Sequence, residues 1–317
     1  MAKIAARVAR SSLDIAPPHV ALGLVPRCDR APLMSVEELD CLISGRDKAG
    51  SSGRDKAGSL DVRRGIERKE FFLAYQPQFE IDSFGQALSG VEALLRWRHP
   101  RLGVLRPSRF MPAVELADLG DKLAAYVLET AIEQVRTWLD TAGWSPRVAI
   151  NVATQQLDSS SLCERILHAL ETCGVEPQYL KVEILESPVI RDAALTAREL
   201  RLLREGGVAV AIDDFGTGSA SFHYLLQFPF DSIKICAEFV QGIGQGTGAD
   251  EICQAIIQLG RSLGKQVIAE GVETEQQLDF LRRHHCHEVQ GFLLGRPVEG
   301  ESFVDLFMGG LAGALPS

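Results

Sequence analysis

From about Leu60 onward, short apolar runs alternate with amphipathic helical stretches, and a polar residue closes almost every run. Leu128, Ala131, Ile132, Val135 and Leu139 share one helical face, Gly143 stands at a helix stop, and Val148 to Val152 then reads as a buried strand. Leu180 to Ile184 is the next strand, followed by a helix over 197–204 that ends at Gly206 and Gly207, and then by the strand Val208 to Ile212. Ser232 to Ile235 follows. Ile252, Ile256, Leu259 and Leu263 stripe a helix stopped by Gly264, and Gln266 to Ala269 returns as a strand. Thr274 and Gln277 form a capping-box pattern opening a helix through Leu281, and Val289 to Leu293 closes the series. Strand-then-helix units repeated this often imply a parallel sheet, because each crossover returns the chain in the same direction. The number of units favours a TIM-like (β/α)8 barrel over an open doubly wound sheet.

The first 59 residues read differently. Pro17, Pro18 and Pro26 interrupt their apolar runs, and only Ser35 to Ile43 has the look of a short capped helix. An octapeptide then occurs twice, Ser44 to Ser51 and Ser52 to Ser59, each Ser-Gly-Arg-Asp-Lys-Ala-Gly-Ser. Two polar copies cannot stack into a solenoid, and their Gly and Ser content reads as a flexible linker. The expected organisation is an N-terminal extension with linker over 1–59 and a barrel over 60–317.

Charge narrows the partners. The net charge is -9, and it sits in the barrel, since 1–59 holds nine Lys or Arg against seven Asp or Glu. A nucleic-acid polymer needs a basic footprint, so it is excluded as a partner. Seven cysteines without paired spacing argue against a disulfide framework and for a reducing, cytoplasmic setting. No apolar stretch reaches the 18 residues a membrane span requires, so no membrane insertion is expected.

The chemistry is written at the strand ends. Glu92, Asn151, Glu183, Asp213 with Asp214, Lys234, Glu270 with Glu273, and Gln290 stand near the C-terminal ends of these runs. In a barrel such ends converge on one mouth. A buried carboxylate is ordinarily a satisfied structural group, but acid after acid at one mouth would repel itself unless a cation sat among them. Carboxylate and amide oxygens are hard donors, suited to magnesium or manganese, whereas zinc would call for His or Cys. Adjacent Asp213 and Asp214 could serve two ions, and paired ions stabilise both oxygens of an in-line phosphoryl displacement. Lys234 could then orient the attacking water and offset developing charge.

Glu92-Ala93-Leu94 followed by Leu95-Arg96-Trp97, with Asp213-Asp214-Phe215-Gly216-Thr217-Gly218, strongly resembles the EAL-domain family of cyclic di-GMP phosphodiesterases, from about Leu60 to about Val298. The resemblance implies a barrel modified by one antiparallel strand, two Mg2+ or Mn2+ ions, and hydrolysis of cyclic di-GMP to pGpG. It also implies a homodimer. Glu92, Asn151, Glu183 and Asp213 would be metal ligands, Asp214 would serve the second ion, and Lys234 would assist the attacking water. Glu270 would be the general base or a water-mediated metal contact, with Glu273 beside it at the metal. Gln76, Arg96 and Gln290 would hold substrate, and Glu186 would steady the loop after Asp214.

The chain departs from the family pattern at several neighbours of these residues. Leu185 replaces a common Thr, Ser219 a larger residue, Cys236 an acid, Ala153 a Ser, and Leu116-Ala117-Asp118 a Glu-Thr-Gly. The departures motivate an alternative in which the chain is a catalytically impaired receptor for cyclic di-GMP or binds a regulatory protein partner. Three other signals carry no function. Asp214-Phe215-Gly216 lacks the remaining kinase motifs, the glycines of 242–248 lack a dinucleotide fingerprint, and His284, His285, Cys286 and His287 have no zinc spacing. Those histidines fall at a helix end, where they meet the helix dipole.

Overall fold

The computed structural model of the protein describes residues 62–82, 85–157, 161–185, 192–216 and 225–308. The extension, its linker, Glu186 and Ser219 lie outside them. Among the described residues ten strands form one sheet: β1 (Phe71–Ile81), β2 (Gln86–His99), β3 (Gly103–Leu105), β4 (Arg147–Val152), β5 (Leu180–Leu185), β6 (Ala209–Phe215), β7 (Ser232–Ile235), β8 (Gln266–Ala269), β9 (Glu288–Val289) and β10 (Val298–Glu299). Eight of them close into a barrel in the order β1-β9-β8-β7-β6-β5-β4-β2, with β2 returning to β1. β2 and β4 to β9 run parallel to one another, while β1 is antiparallel to both neighbours, β2 and β9. The expected modified barrel with one reversed strand is therefore present.

Helices cover the outside, chiefly α1 (Gly120–Ala142), α2 (Leu162–Cys173), α3 (Ala193–Glu205), α4 (Ala249–Ser262) and α5 (Glu275–Arg283). Each buries the apolar stripe that its periodicity provides. In α1 this stripe includes Ala131, Ile132, Val135 and Trp138, and the helix stops at Gly143, whose φ of 71° is a left-handed conformation costly for a residue with a Cβ. Trp138 packs edge-on to Tyr75 and donates its indole N–H to the Gly300 carbonyl at 3.1 Å. The capping box at Thr274 is complete, with both reciprocal bonds to Gln277.

The expected strands at Ser232 to Ile235 and Gln266 to Ala269 match β7 and β8. Other elements shift at their ends, and two of these shifts bear on the site. β6 runs on to Phe215, carrying both aspartates inside the strand. The strand expected over Val289 to Leu293 is β9, which ends at Val289 because Gly291 lies directly on the backbone of Val272, whose carbonyl accepts a hydrogen bond from Leu293 N. A Cβ at Gly291 would stand 2.0 Å from the Val272 carbonyl oxygen. This close contact turns the chain immediately after Gln290.

Pleating decides what enters the barrel. Register pairs place Asn151, Glu183, Ala211 and Ser232 side by side on one face, and Lys234, Ile268 and Glu288 likewise. Since Lys234 reaches Glu183, that face is the interior. The large apolar residues of the same strands, such as Val148, Ile150, Val182 and Ile212, occupy the alternate positions in the core.

Candidate active site

Lys234 is the centre of the site. Its ammonium is fully buried, at 0% exposure, and lies in ion-pair range of four carboxylates from four other places in the chain. Glu270 Oε1 is at 2.5 Å, Asp213 Oδ1 at 3.3 Å and Glu92 Oε2 at 3.5 Å, and Glu183 Oε2 accepts a hydrogen bond. Four negative groups around one positive one leave an excess of negative charge in a place that water scarcely enters. Both ends of Glu92 are fixed: Oε1 accepts from Asn151 Nδ2 at 2.8 Å, and Oε2 from Gln290 Nε2 at 2.8 Å.

The two aspartates show how a strand can supply two ligands in succession. Pleating would send consecutive residues to opposite faces. The register of β6 against β7 slips between Ile212 and Phe215, so that Asp213 and Asp214 together face Lys234 alone. This is a bulge, and Asp214 takes a φ of 51° within it. Asp tolerates that region better than most residues. The Asp214 amide donates to the Asp213 carboxylate at 2.9 Å. As a result Asp213, Asp214 and Glu270 each offer an oxygen, all within 4.8 Å of one another.

The electrostatics follow from this crowding. Burial lowers the pKa of Lys234, but Asp213, Glu183, Glu270 and Glu92 overcome it and hold the ammonium charged well above its usual range. Burial pushes Glu183 up to about 7, with Glu92 and Asp213 adding to the rise against the pull of Lys234. Glu270 is raised for the same reasons, burial first. Asp214 is raised by burial and by Asp213. Glu92 goes down: burial raises it, yet Lys234, Gln290 and Asn151 together prevail.

A divalent ion fits these residues. The donors are hard oxygens, they exceed the single ammonium in charge, and Glu183 Oε1 is buried without any hydrogen-bond partner. An orphan carboxylate oxygen in such a place suits a cation. The structure thus brings together Glu92, Asn151, Glu183, Asp213, Asp214, Lys234, Glu270, Gln76 and Gln290. Gln76 lies opposite Glu92 in the β1–β2 ladder, and its Oε1 accepts from Gln290 Nε2 at 3.1 Å. Arg96 projects from the same face of β2 as Glu92, half-buried, its guanidinium pKa lowered by burial and by Arg106. Glu273 stands apart: it is exposed at the entry to α5, with its carboxylate near Gln241 Nε2 at 3.4 Å. Cys236 is buried, and burial raises its thiol pKa, which disfavours a nucleophilic thiolate. The histidine cluster is structural in part, since His287 Nδ1 accepts from Val267 N and Cys286 Sγ lies 3.3 Å from the Val267 carbonyl.

Sequence reasoning missed one layer beneath the mouth. Gln78, completely buried, donates to Gln290, and Lys181 meets Glu288 at 3.8 Å lower in the barrel. The signal for Gln78 was available: it lies two residues after Gln76 in a strand, and so on the same face.

Comparison with known proteins places the site in a family. The family model described as the EAL domain matches residues 59–297. The bifunctional diguanylate cyclase/cyclic di-GMP phosphodiesterase MucR of Pseudomonas aeruginosa is 38% identical over 244 residues, which are 77% of this chain and 35% of that protein. The cyclic di-GMP phosphodiesterase NbdA of the same organism is 39% identical over 239 residues, 75% of this chain and 30% of its own length. The chain therefore spans about a third of these relatives. Among solved structures, one described as the PaMucR phosphodiesterase in complex with c-di-GMP superposes with a TM-score of 0.73 at 38% identity, covering 78% of this chain and 99% of that one.

Proposed function

Because this chain belongs to the EAL domain family, we propose that its 60–317 unit is a divalent-metal-dependent phosphodiesterase that hydrolyses cyclic di-GMP to linear pGpG, with residues 1–59 as extension and linker. The observation that carries the proposal is the set of four carboxylates gathered on one buried lysine, with an oxygen of Glu183 left unpartnered. Evolved relatives named for this activity support the choice of substrate.

In this reading Glu92, Asn151, Glu183 and Asp213 would hold one Mg2+ or Mn2+ and Asp214 would bring in a second, while Glu273, exposed and paired with Gln241, is left out of the ligand set. Such ions, when bound, would lower the pKa of a water and offset charge on the phosphate oxygens. The protein's own groups do the rest. Lys234, charged and immobile, orients the attacking oxygen and balances charge that develops at phosphorus. Glu270, the least buried carboxylate around Lys234 with a side chain 19% exposed, takes the proton. Gln76, Gln290 and Arg96 hold the cyclic dinucleotide, Arg96 through its guanidinium fork on a phosphate. The active unit is a homodimer in the cytoplasm.

Incubating purified protein with cyclic di-GMP and manganese, and resolving products by chromatography, tests the proposal. We expect pGpG in the presence of manganese and none with chelator. A second reading, a receptor that binds cyclic di-GMP or a regulatory protein without cleaving it, is favoured by Leu185, 45% exposed directly beside Asp213 in the ladder, and by buried Cys236 at the end of β7. Tight binding of cyclic di-GMP with no turnover under those conditions would select it.

A further inference from the structure

Both oxygens of Glu92 are held by side-chain amides, and those on the Oε2 side form a directed chain leading down into the barrel. Gln290 Nε2 donates both to Glu92 Oε2 at 2.8 Å and to Gln76 Oε1 at 3.1 Å. A glutamine amide has two near-isosteric ends, and turning it over would set Gln290 Oε1 against two other oxygens. Glu92 and Gln76 set that sense from one end, and Gln78 reinforces it from the other, its Nε2 donating to Gln290 Oε1 at 2.8 Å while its own Oε1 is buried without a hydrogen-bond partner. Gln76 continues the relay, donating from Nε2 to the Gly295 carbonyl at 3.2 Å. Every oxygen of Gln290 and Gln76 thereby has a donor, and every bond in the chain points the same way.

The backbone is shaped around Gln78. It is 0% exposed, faces inward, and lies across the ladder from Gly90. A Cβ at position 90 would stand 3.2 Å from Gln78 Oε1 and 3.0 Å from the Arg147 carbonyl oxygen, so the missing side chain clears the space that the amide fills. Immediately after Gln78 the β1–β2 register slips, and Ser89, skipped in the pairing, donates its hydroxyl to the Gln78 carbonyl at 3.2 Å. A buried amide of this size has a desolvation cost with no return in apolar packing. Its return is the orientation of Gln290.

We propose that Gln78 is a positioning residue for the metal site: without touching metal or substrate, it locks the amide of Gln290 in the sense that holds Glu92 ready for a divalent ion. The inference rests on the reading of Glu92 as a metal ligand. Residues outside a ligand shell that orient it are commonly worth an order of magnitude or more in metal affinity, and Gln78 acts one step further out. Losing one buried hydrogen bond corresponds to about fivefold.

The test is a double-variant cycle read by calorimetric titration of manganese(II) into chelator-stripped protein, with thermal melting as the check of fold. Gln78→Met keeps the length of the side chain and removes the donor. We expect it to weaken manganese binding about fivefold in the otherwise native protein, and less than about twofold when Gln290 is already Ala, because there is then nothing left to orient. Should Gln78→Met melt below the assay temperature, Gln78→Leu takes its place in the same cycle. Unchanged manganese affinity in the single variant overturns the inference, as does an equal loss in both backgrounds, which would mark Gln78 as a packing residue only. Protein that binds manganese but turns over no cyclic di-GMP would defeat the phosphodiesterase reading and leave this cycle fully readable. Native protein that binds no manganese would overturn both.

Discussion

Replacing Lys234 by Met removes the one cation from a buried cluster of four carboxylates. The Nζ contacts lie at 2.5 to 3.5 Å for Glu270, Asp213 and Glu92, with Glu183 closer still, and the lysine has no exposure at all. Breaking a buried ion pair by removing one partner costs about 3–5 kcal/mol, because the other charge stays behind unpaired. For a barrel of this size such a loss lowers the melting temperature by roughly 10 °C. The cost must grow with pH. Glu183 already titrates near 7 with the lysine present, since burial and its acidic neighbours raise it. A carboxyl whose folded pKa is raised binds more protons folded than unfolded, so stability falls as pH climbs from the ordinary carboxylate range through the folded value. In the variant the folded values rise further, and that fall becomes steeper and extends to higher pH. Urea unfolding in chelator at pH 5.5 and pH 8 measures it, with a larger deficit expected at pH 8. Adding Glu183→Gln to the variant should return more than about 1 kcal/mol by removing one of the unpaired charges. A Lys234→Met protein as stable as the native one at pH 8, or equally weakened at both pH values, would refute the reasoning.

Three further outcomes are expected. Gly291→Ala should destabilise the protein by more than about 3 kcal/mol in thermal or urea unfolding, because its Cβ would collide with the Val272 backbone at 2.0 Å, a contact no side-chain movement can relieve. Asp214→Gly should gain about 1 kcal/mol in metal-free unfolding by relieving a φ of 51°, while its manganese affinity falls at least tenfold in the same calorimetric titration. Thr274→Ala, which removes half of a complete capping box at α5, should cost about 1 kcal/mol and leave manganese affinity untouched.

The sequence was most legible where periodicity and punctuation agree. Helix stops at Gly143 and Gly264 and the capping box at Thr274 are local devices, and the structure contains each of them. The strand ends carried the site for a similar reason: a barrel converts spacing along the chain into one mouth, so Glu92, Glu183, Asp213 and Lys234 needed only their places in the order of strands. What could not be read was anything set by contact across the barrel. The bulge that turns both Asp213 and Asp214 toward Lys234 breaks the very alternation used to assign faces. The early end of β9 depends on Gly291 meeting Val272, nineteen residues away. Gln78 shares the face of Gln76 in the sequence, but its bond to Gln290, 212 positions later, exists only once the barrel closes. Glu273 reads beside Glu270 in sequence, yet the turn at Gly271, with a φ of 71°, separates their directions.

The measurement that bears most directly on the carboxylate cluster as a hydrolytic metal site is a single-turnover reaction in 18O-labelled water. Enzyme in excess over cyclic di-GMP is mixed with manganese, and the product is weighed by mass spectrometry. Direct attack by water predicts pGpG carrying one 18O on its terminal phosphate, formed by the native protein with manganese and by neither the chelated protein nor Glu92→Ala. Cyclic di-GMP recovered intact from native, folded, manganese-loaded protein would contradict the account.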